Sequence, residues 1–170
     1  MFDGMGFVRG AELKGERIRD RRAVLFGAGG AGSAIACALA DAGVKSIDII
    51  DTDATKAKVL VDKLQRAFPE CASTAANRVP PNVDMVVNAS PVGMRPDDGL
   101  PSDIGTLDPS TLVGDVVITP TPTPIIRHAM QFGCHWVDGR DMHGGQIDAI
   151  TAFFASAPAA AGVERVFPPN

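Results

Sequence analysis

The stretch Ala23-Val24-Leu25-Phe26-Gly27-Ala28-Gly29-Gly30-Ala31-Gly32 decides how this chain is read. Four apolar residues stop at a glycine cluster, as a strand buried on both faces of a parallel sheet does. From Ala31 to Ala42 the sequence is rich in alanine and closes on Gly43, the pattern of a helix followed by a glycine cap. Between strand and helix, Gly27, Gly29 and Gly32 stand at G-x-G-x-x-G spacing. At such a junction the first glycine permits a tight turn, the second lets backbone approach a diphosphate, and the third lets the helix pack closely on the strand. The free N–H groups at the helix start face the anion. Gly27, Ala28, Gly29, Gly30, Ala31 and Gly32 are therefore the candidate cofactor contacts.

Working outward, Ser46 to Ile50 reads as a second strand, and Ala54 to Phe68 carries Ala57, Leu60, Val61 and Leu64 at helical spacing. Asp51 lies 19 residues beyond Gly32, at the end of that strand, where a carboxylate takes the adenosine ribose hydroxyls of NAD. Asp53 follows; it serves either as a second ribose contact or as the N-cap of the next helix. Two carboxylates repel a 2′-phosphate, and Asp51-Thr52-Asp53-Ala54-Thr55 holds no arginine to receive one. NAD is therefore expected in preference to NADP.

Further strands are expected at Met85–Val87, Val116–Ile118 and His135–Val137, with helices at Thr123–Phe132 and from about Gly145 to Ala155. Strands alternating with helices predict a Rossmann-type, doubly wound α/β fold, its sheet mostly parallel and covered by helices on both faces. Residues 1–22 read as a linker helix and entry segment of the same domain that continues as the dinucleotide-binding unit at 23–156, and residues 157–170, rich in alanine and proline, as a loose tail. Pro120, Pro122 and Pro124 mark a rigid loop at a strand end, with either a structural role or a place at the ligand edge.

At 170 residues and 45% apolar content the chain suits one domain with a continuous core. A net charge of -4 and the absence of tyrosine disfavour nucleic-acid binding. Cys37, Cys71 and Cys134 lack metal or disulfide spacing and read as buried or half-buried free thiols. No apolar run reaches the ~20 residues of a membrane span, and no secretory leader is visible, so a cytoplasmic location is expected. His128, His135 and His143 form no metal-ligand pattern. Arg17, Arg19, Arg21 and Arg22 read as a solvated turn or as a contact to a partner domain.

Several segments, taken in order, resemble the cofactor-binding half of the shikimate and quinate dehydrogenases. They are Lys14-Gly15, Ala23 to Ala34, Asn88-Ala89-Ser90-Pro91-Val92-Gly93-Met94, Thr123-Pro124-Ile125-Ile126, and Gly139-Arg140-Asp141-Met142 followed by Gln146. The resemblance implies that Asn88 to Met94 runs under the cofactor, with Ala89 and Ser90 near its ribose and nicotinamide side. It implies that Gly139 and Met142 border the nicotinamide and that Gln146 bonds a substrate hydroxyl. From residue chemistry alone, the alternatives are a strand-end turn for Asn88 and a solvated helix face for Gln146.

The opening Phe2-Asp3-Gly4-Met5-Gly6-Phe7 resembles that family's Asn-Thr-Asp-Gly-x-Gly-Phe signature, with Met1 and Phe2 in place of its Asn and Thr. Asp3 matches the family's aspartate, which works beside a lysine from a substrate domain that precedes the signature. The expectation is that this chain lacks that domain and its lysine, and that a separate or missing partner would supply them. Ile118 stands where the family often has a tyrosine. The implied activity is hydride transfer between a nicotinamide cofactor and a cyclic hydroxy acid. The alternatives are a non-catalytic dinucleotide-binding module, or an interaction protein with an exposed apolar face.

Overall fold

The computed structural model describes residues 2–95 and 97–156, without the side chains of residues 148, 149 and 152–156. The expected tail, 157–170, lies outside the described residues. The elements run α1 (Phe2–Leu13), β1 (Arg22–Phe26), α2 (Gly30–Asp41), β2 (Ser46–Ile50), α3 (Ala54–Ala67), β3 (Ala72–Ala75), β4 (Met85–Asn88), β5 (Leu112–Asp115), α4 (Pro124–Gln131), β6 (His135–Val137) and α5 (Gly139–Ser156).

All six strands are parallel, in the order β3-β2-β1-β4-β5-β6. The expected doubly wound α/β fold is thus the observed one. The strand order reverses between β1 and β4, and a ligand crevice forms outside the carboxyl ends of the strands at such a point. Register sets one row across that edge: Ile50 pairs with Phe26, Phe26 with Asn88, and Asn88 with Asp115.

Alternation along the strands divides the core between the two faces. Leu25, Ile49, Val87 and Leu112 meet Phe7 of α1, Ile35 and Leu39 of α2 and Leu60 and Leu64 of α3. Val24, Phe26, Val86 and Val113 meet Ile125, Ile126 and Ala129 of α4, together with Ile104 and Leu107. Ile35 and Leu39 are wholly buried, each worth about 1.5–3 kcal/mol against exposure. Helix α2 ends as its composition predicts. Gly43 takes φ +84°, its N–H reaches Ala40 O, and Val44 N–H reaches Leu39 O, so two otherwise orphaned carbonyls are satisfied.

Helices α1 and α5 cross at backbone contact. A Cβ on Gly145 would lie 2.2 Å from Gly6 O, and one on Gly10 2.6 Å from Asp141 O. The glycines of the amino-terminal segment therefore make room for the last helix.

Three expectations are corrected. The fifth strand is Leu112–Asp115 and not Val116–Ile118. Gly114 sits inside it because the Phe7 ring presses there, and a Cβ would lie 2.4 Å from Phe7 Cζ; glycine in a strand often marks such an approach. Helix α5 begins at Gly139, six residues before the expected start, since Asp138 accepts from Arg140 N and Asp141 N and caps it. Cys37 is exposed, whereas Cys71 and Cys134 are buried. In the arginine run, Arg17, Arg19 and Arg22 are exposed, as a solvated turn requires, while Arg21 and Arg22 also clip neighbouring segments. Arg22 chelates Asp84 through Nε and Nη2, and Arg21 Nη1 donates to Asp84 O and Ser110 O. Edge strand β3 has too little apolar pattern to announce itself; it forms by pairing with β2.

Candidate functional site

Gly27 leaves β1 at φ +96°, its N–H donates to Ile50 O at 2.8 Å, and a Cβ on it would lie 2.7 Å from Ala89 O. Only glycine meets both demands at low cost. A Cβ on Gly32 would lie 1.9 Å from Gly27 O, so the start of α2 rests directly on the turn. Gly29 and Gly30 differ. Both are exposed, and a Cβ on either would meet nothing within 4 Å. Gly29 is the N-cap of α2 and supplies no side-chain acceptor to its first turn. Amides free of side-chain acceptors, a positive helix end and no side chain in the way form a donor set that fits a diphosphate. Ala31, half-buried, lies in that first turn.

Asp51 braces the turn from the neighbouring strand. Its Oδ2 accepts from Ala28 N at 2.6 Å and its Oδ1 from Asp53 N at 2.8 Å. Burial pushes this carboxyl up, but the Ala28 and Asp53 amides and Lys56 outweigh it and hold it below the ordinary aspartate range. Asp53 is the N-cap of α3, accepting from Thr55 N and Lys56 N, so the capping alternative describes its geometry. Beside the turn lies a groove of about 310 Å³ lined by Ala28, Gly29, Ser33, Thr55, Lys56 and Lys63. A larger hollow of about 670 Å³ lies among residues 78–83, 103–108 and 111, on segments that lead into β4 and β5, away from the glycine turn.

Across the switch point, Asn88 ends β4, fully buried. Its Nδ2 donates to Val92 O at 2.8 Å and to Asp115 Oδ1 at 3.0 Å. Its Oδ1 accepts from Ser90 N at 3.1 Å and Ser90 Oγ at 2.6 Å. Asn88 is thus the hub of the turn, and Ala89 and Ser90 stand beside Gly27. Asp98 secures the far side of the loop by accepting from Gly93 N and Arg95 N. Asp115 also accepts from Val117 N and from the Thr123 hydroxyl. Burial pushes its carboxyl up to about 6, although Thr123, Val117 and Asn88 pull the other way.

At the α1–α5 crossing, Gln146 Nε2 donates to Asp3 Oδ1 at 2.7 Å. The two half-buried residues singled out for substrate contact are brought together. Gly139 is buried, where a Cβ would lie 2.7 Å from Val117 O, and Met142 is 8% exposed within the core. Ile118 is exposed. Among the described residues no group of three or more His, Cys, Asp or Glu could hold a metal ion.

The sequence reading gave no site role to Asp115, to Thr123 or to the two groove lysines. A carboxylate inside the apolar run Val113 to Val117 was the available signal for Asp115.

A six-stranded parallel sheet in this order, with a glycine turn ending β1 and an acidic residue ending β2, defines a Rossmann-type dinucleotide-binding domain. The ThiF family matches residues 6–68, from α1 through α3. The shikimate dehydrogenase (NADP(+)) of Pseudarthrobacter chlorophenolicus is 37% identical over 158 residues, covering 89% of this chain and 53% of that protein. The quinate dehydrogenase of Corynebacterium glutamicum, solved in complex with NAD, is 33% identical with a TM-score of 0.80, over 90% of this chain and 56% of that one. Shikimate 5-dehydrogenase from Listeria monocytogenes, solved with shikimate and NAD, is 26% identical with a TM-score of 0.77, over 91% and 62%. The chain is related in sequence and fold to the shikimate and quinate dehydrogenases. It spans about half the length of the curated relatives it matches. No helix among the described residues is long and apolar enough to cross a membrane.

Proposed function

We propose that this chain is the cofactor-binding half of an NAD(P)-dependent oxidoreductase acting on a cyclic hydroxy acid of shikimate or quinate type. The observation that carries the reading is the pairing of Asp3 with Gln146. A carboxylate able to exchange the carbinol proton is held beside an amide able to bond a substrate hydroxyl. The nicotinamide, when bound, supplies the hydride acceptor or donor. The chain's own residues do the rest. The amides at Gly29–Gly32 bind the diphosphate, those of Gly27 and Ala28 being taken by Ile50 and Asp51, Asp51 meets the adenosine ribose, and Asn88, Ala89, Ser90, Gly139 and Met142 wall the nicotinamide side. A lysine-bearing substrate domain completes the acid/base pair.

NAD is the proposed cofactor in preference to NADP. Asp51, held ionised by two amides, presents negative charge where a 2′-phosphate would sit. The NAD complex of the quinate dehydrogenase is in keeping with this. Lys56 and Lys63 in the adjoining groove favour the other cofactor, as does the NADP named for the curated relatives. Free cysteines agree with a reducing compartment, and we assign the cytoplasm.

Calorimetric titration with NAD and NADP tests binding, and nicotinamide absorbance with shikimate or quinate tests turnover, both with the chain alone and with a substrate domain supplied. Tighter NAD binding together with turnover on supply of the domain is the expected result. Failure of the folded protein to bind either dinucleotide at millimolar concentration overturns the reading, and binding without turnover under either condition reduces it to a dinucleotide-binding module.

A further inference from the structure

Asp115 is wholly buried at the end of β5, in the edge row next to Asn88. A buried carboxylate is costly unless partners compensate. Here three donors from three segments converge on it: Asn88 Nδ2 at 3.0 Å and Val117 N at 3.1 Å on Oδ1, and the Thr123 hydroxyl at 2.5 Å on Oδ2.

An ionised carboxylate only accepts, so Asn88 must turn its NH₂ toward Asp115. Its amide oxygen then faces Ser90 and takes both the Ser90 N–H and hydroxyl. With its hydrogen committed, Ser90 Oγ accepts from Val92 N at 3.2 Å. The relay runs Asp115, Asn88, Ser90, Val92, and it ends on the loop whose Ala89 carbonyl abuts Gly27.

We propose that Asp115 is a positioning residue: by fixing the Asn88 amide it holds the Ala89–Gly93 loop against the glycine turn in the form that receives the nicotinamide half of the cofactor, and through Val117 and Thr123 it ties the proline loop to the same arrangement. This rests on the cofactor reading above. The carboxylate touches neither cofactor nor substrate. It acts through Asn88 and Ser90.

The role separates from simple stability by comparing two probes, NAD and ADP-ribose, because the latter lacks the nicotinamide but keeps the parts bound by the glycine turn and Asp51. Wild type binds NAD more tightly than ADP-ribose. Asp115→Ala removes that margin, weakening NAD about tenfold or more while ADP-ribose binding stays within about twofold of wild type. Asp115→Asn regains most of the loss, since its oxygen serves Asn88 and Val117 and its NH₂ donates to a reoriented Thr123 hydroxyl. Should Asp115→Ala fail to fold, Asn88→Ala breaks the same relay and must reproduce the selective loss. An unchanged NAD to ADP-ribose ratio in a folded variant overturns the proposal and leaves the cofactor reading standing. Equal binding of both probes by wild type overturns it too, leaving only the glycine turn as a dinucleotide site. Binding of neither probe brings down the cofactor reading and this proposal together.

Discussion

Gln146 donates to the Asp3 carboxylate at 2.7 Å across 143 residues of chain. Gly6 permits the contact, because a Cβ on it would stand 2.4 Å from Gln146 Cγ. The first and last helices thus meet at glycine, and the meeting point carries the two polar groups proposed to handle substrate.

That arrangement separates catalysis from cofactor binding. In a preparation that turns over hydroxy acid, Asp3→Asn is expected to lower kcat about 100-fold or more, the scale of a lost acid/base group. NAD affinity should stay within about twofold, since the glycine turn and Asp51 are untouched. Turnover close to wild type would remove Asp3 from the reaction.

Asp51 has a double task, bracing Ala28 and meeting ribose. In Asp51→Asn one carboxylate oxygen becomes an NH₂ facing either the Ala28 or the Asp53 amide, donor against donor. A loss of about 1–3 kcal/mol in unfolding free energy is expected. NAD binding should weaken more than NADP binding, because the charge that repels a 2′-phosphate is gone. Parallel titrations that leave the ratio of the two affinities unchanged would show that Asp51 does not set cofactor choice.

Asp115 predicts a pH signature. Its folded value of about 6 lies above the ordinary 3.8, so the group favours folding fully below 3.8, and the contribution is lost as pH rises through about 6. Asp138 is the charged neighbour that adds to the upward push, and the groups bonded to the carboxylate, Asn88, Val117 and Thr123, are uncharged. Asp115→Asn removes the titration. Its stability relative to wild type should therefore rise between about pH 4 and pH 8, by up to ~3 kcal/mol. Denaturant unfolding at the two pH values checks this; a constant difference contradicts it.

The α1–α5 crossing tolerates no side chain at its centre. Gly145→Ala places a Cβ 2.2 Å from Gly6 O, which is backbone and cannot swing aside. Overpacking of about 1–3 kcal/mol is expected, read as a lower Tm. The shift should also loosen the Asp3–Gln146 contact, since Gly145 adjoins Gln146. An unchanged Tm would mean that the helices separate freely.

The dinucleotide turn was legible from residues alone because its demands are local. A positive φ at Gly27, a close approach at Gly32 and an uncapped helix start at Gly29 are written within one strand-turn-helix unit. The sheet class was legible for the same reason, since apolar runs alternating with helical periods need no knowledge of what they face. Asp53 shows where this ends: two local readings were open, and in the fold its carboxylate accepts from Thr55 N and Lys56 N.

Tertiary structure alone decided which distant residues share a neighbourhood. Strand register sets Asn88 beside Asp115, and pairing with β4 and β6 puts the fifth strand at Leu112–Asp115, where the apolar signal of Val116–Ile118 had suggested otherwise. Helix α3 carries Lys56 and Lys63 to the groove beside the glycine turn, and the α1–α5 crossing joins Asp3 to Gln146. Periodicity encodes which way a side chain faces, one element at a time. Which partner it then meets depends on register and on close approaches between segments remote in sequence, and those exist only once the chain has packed.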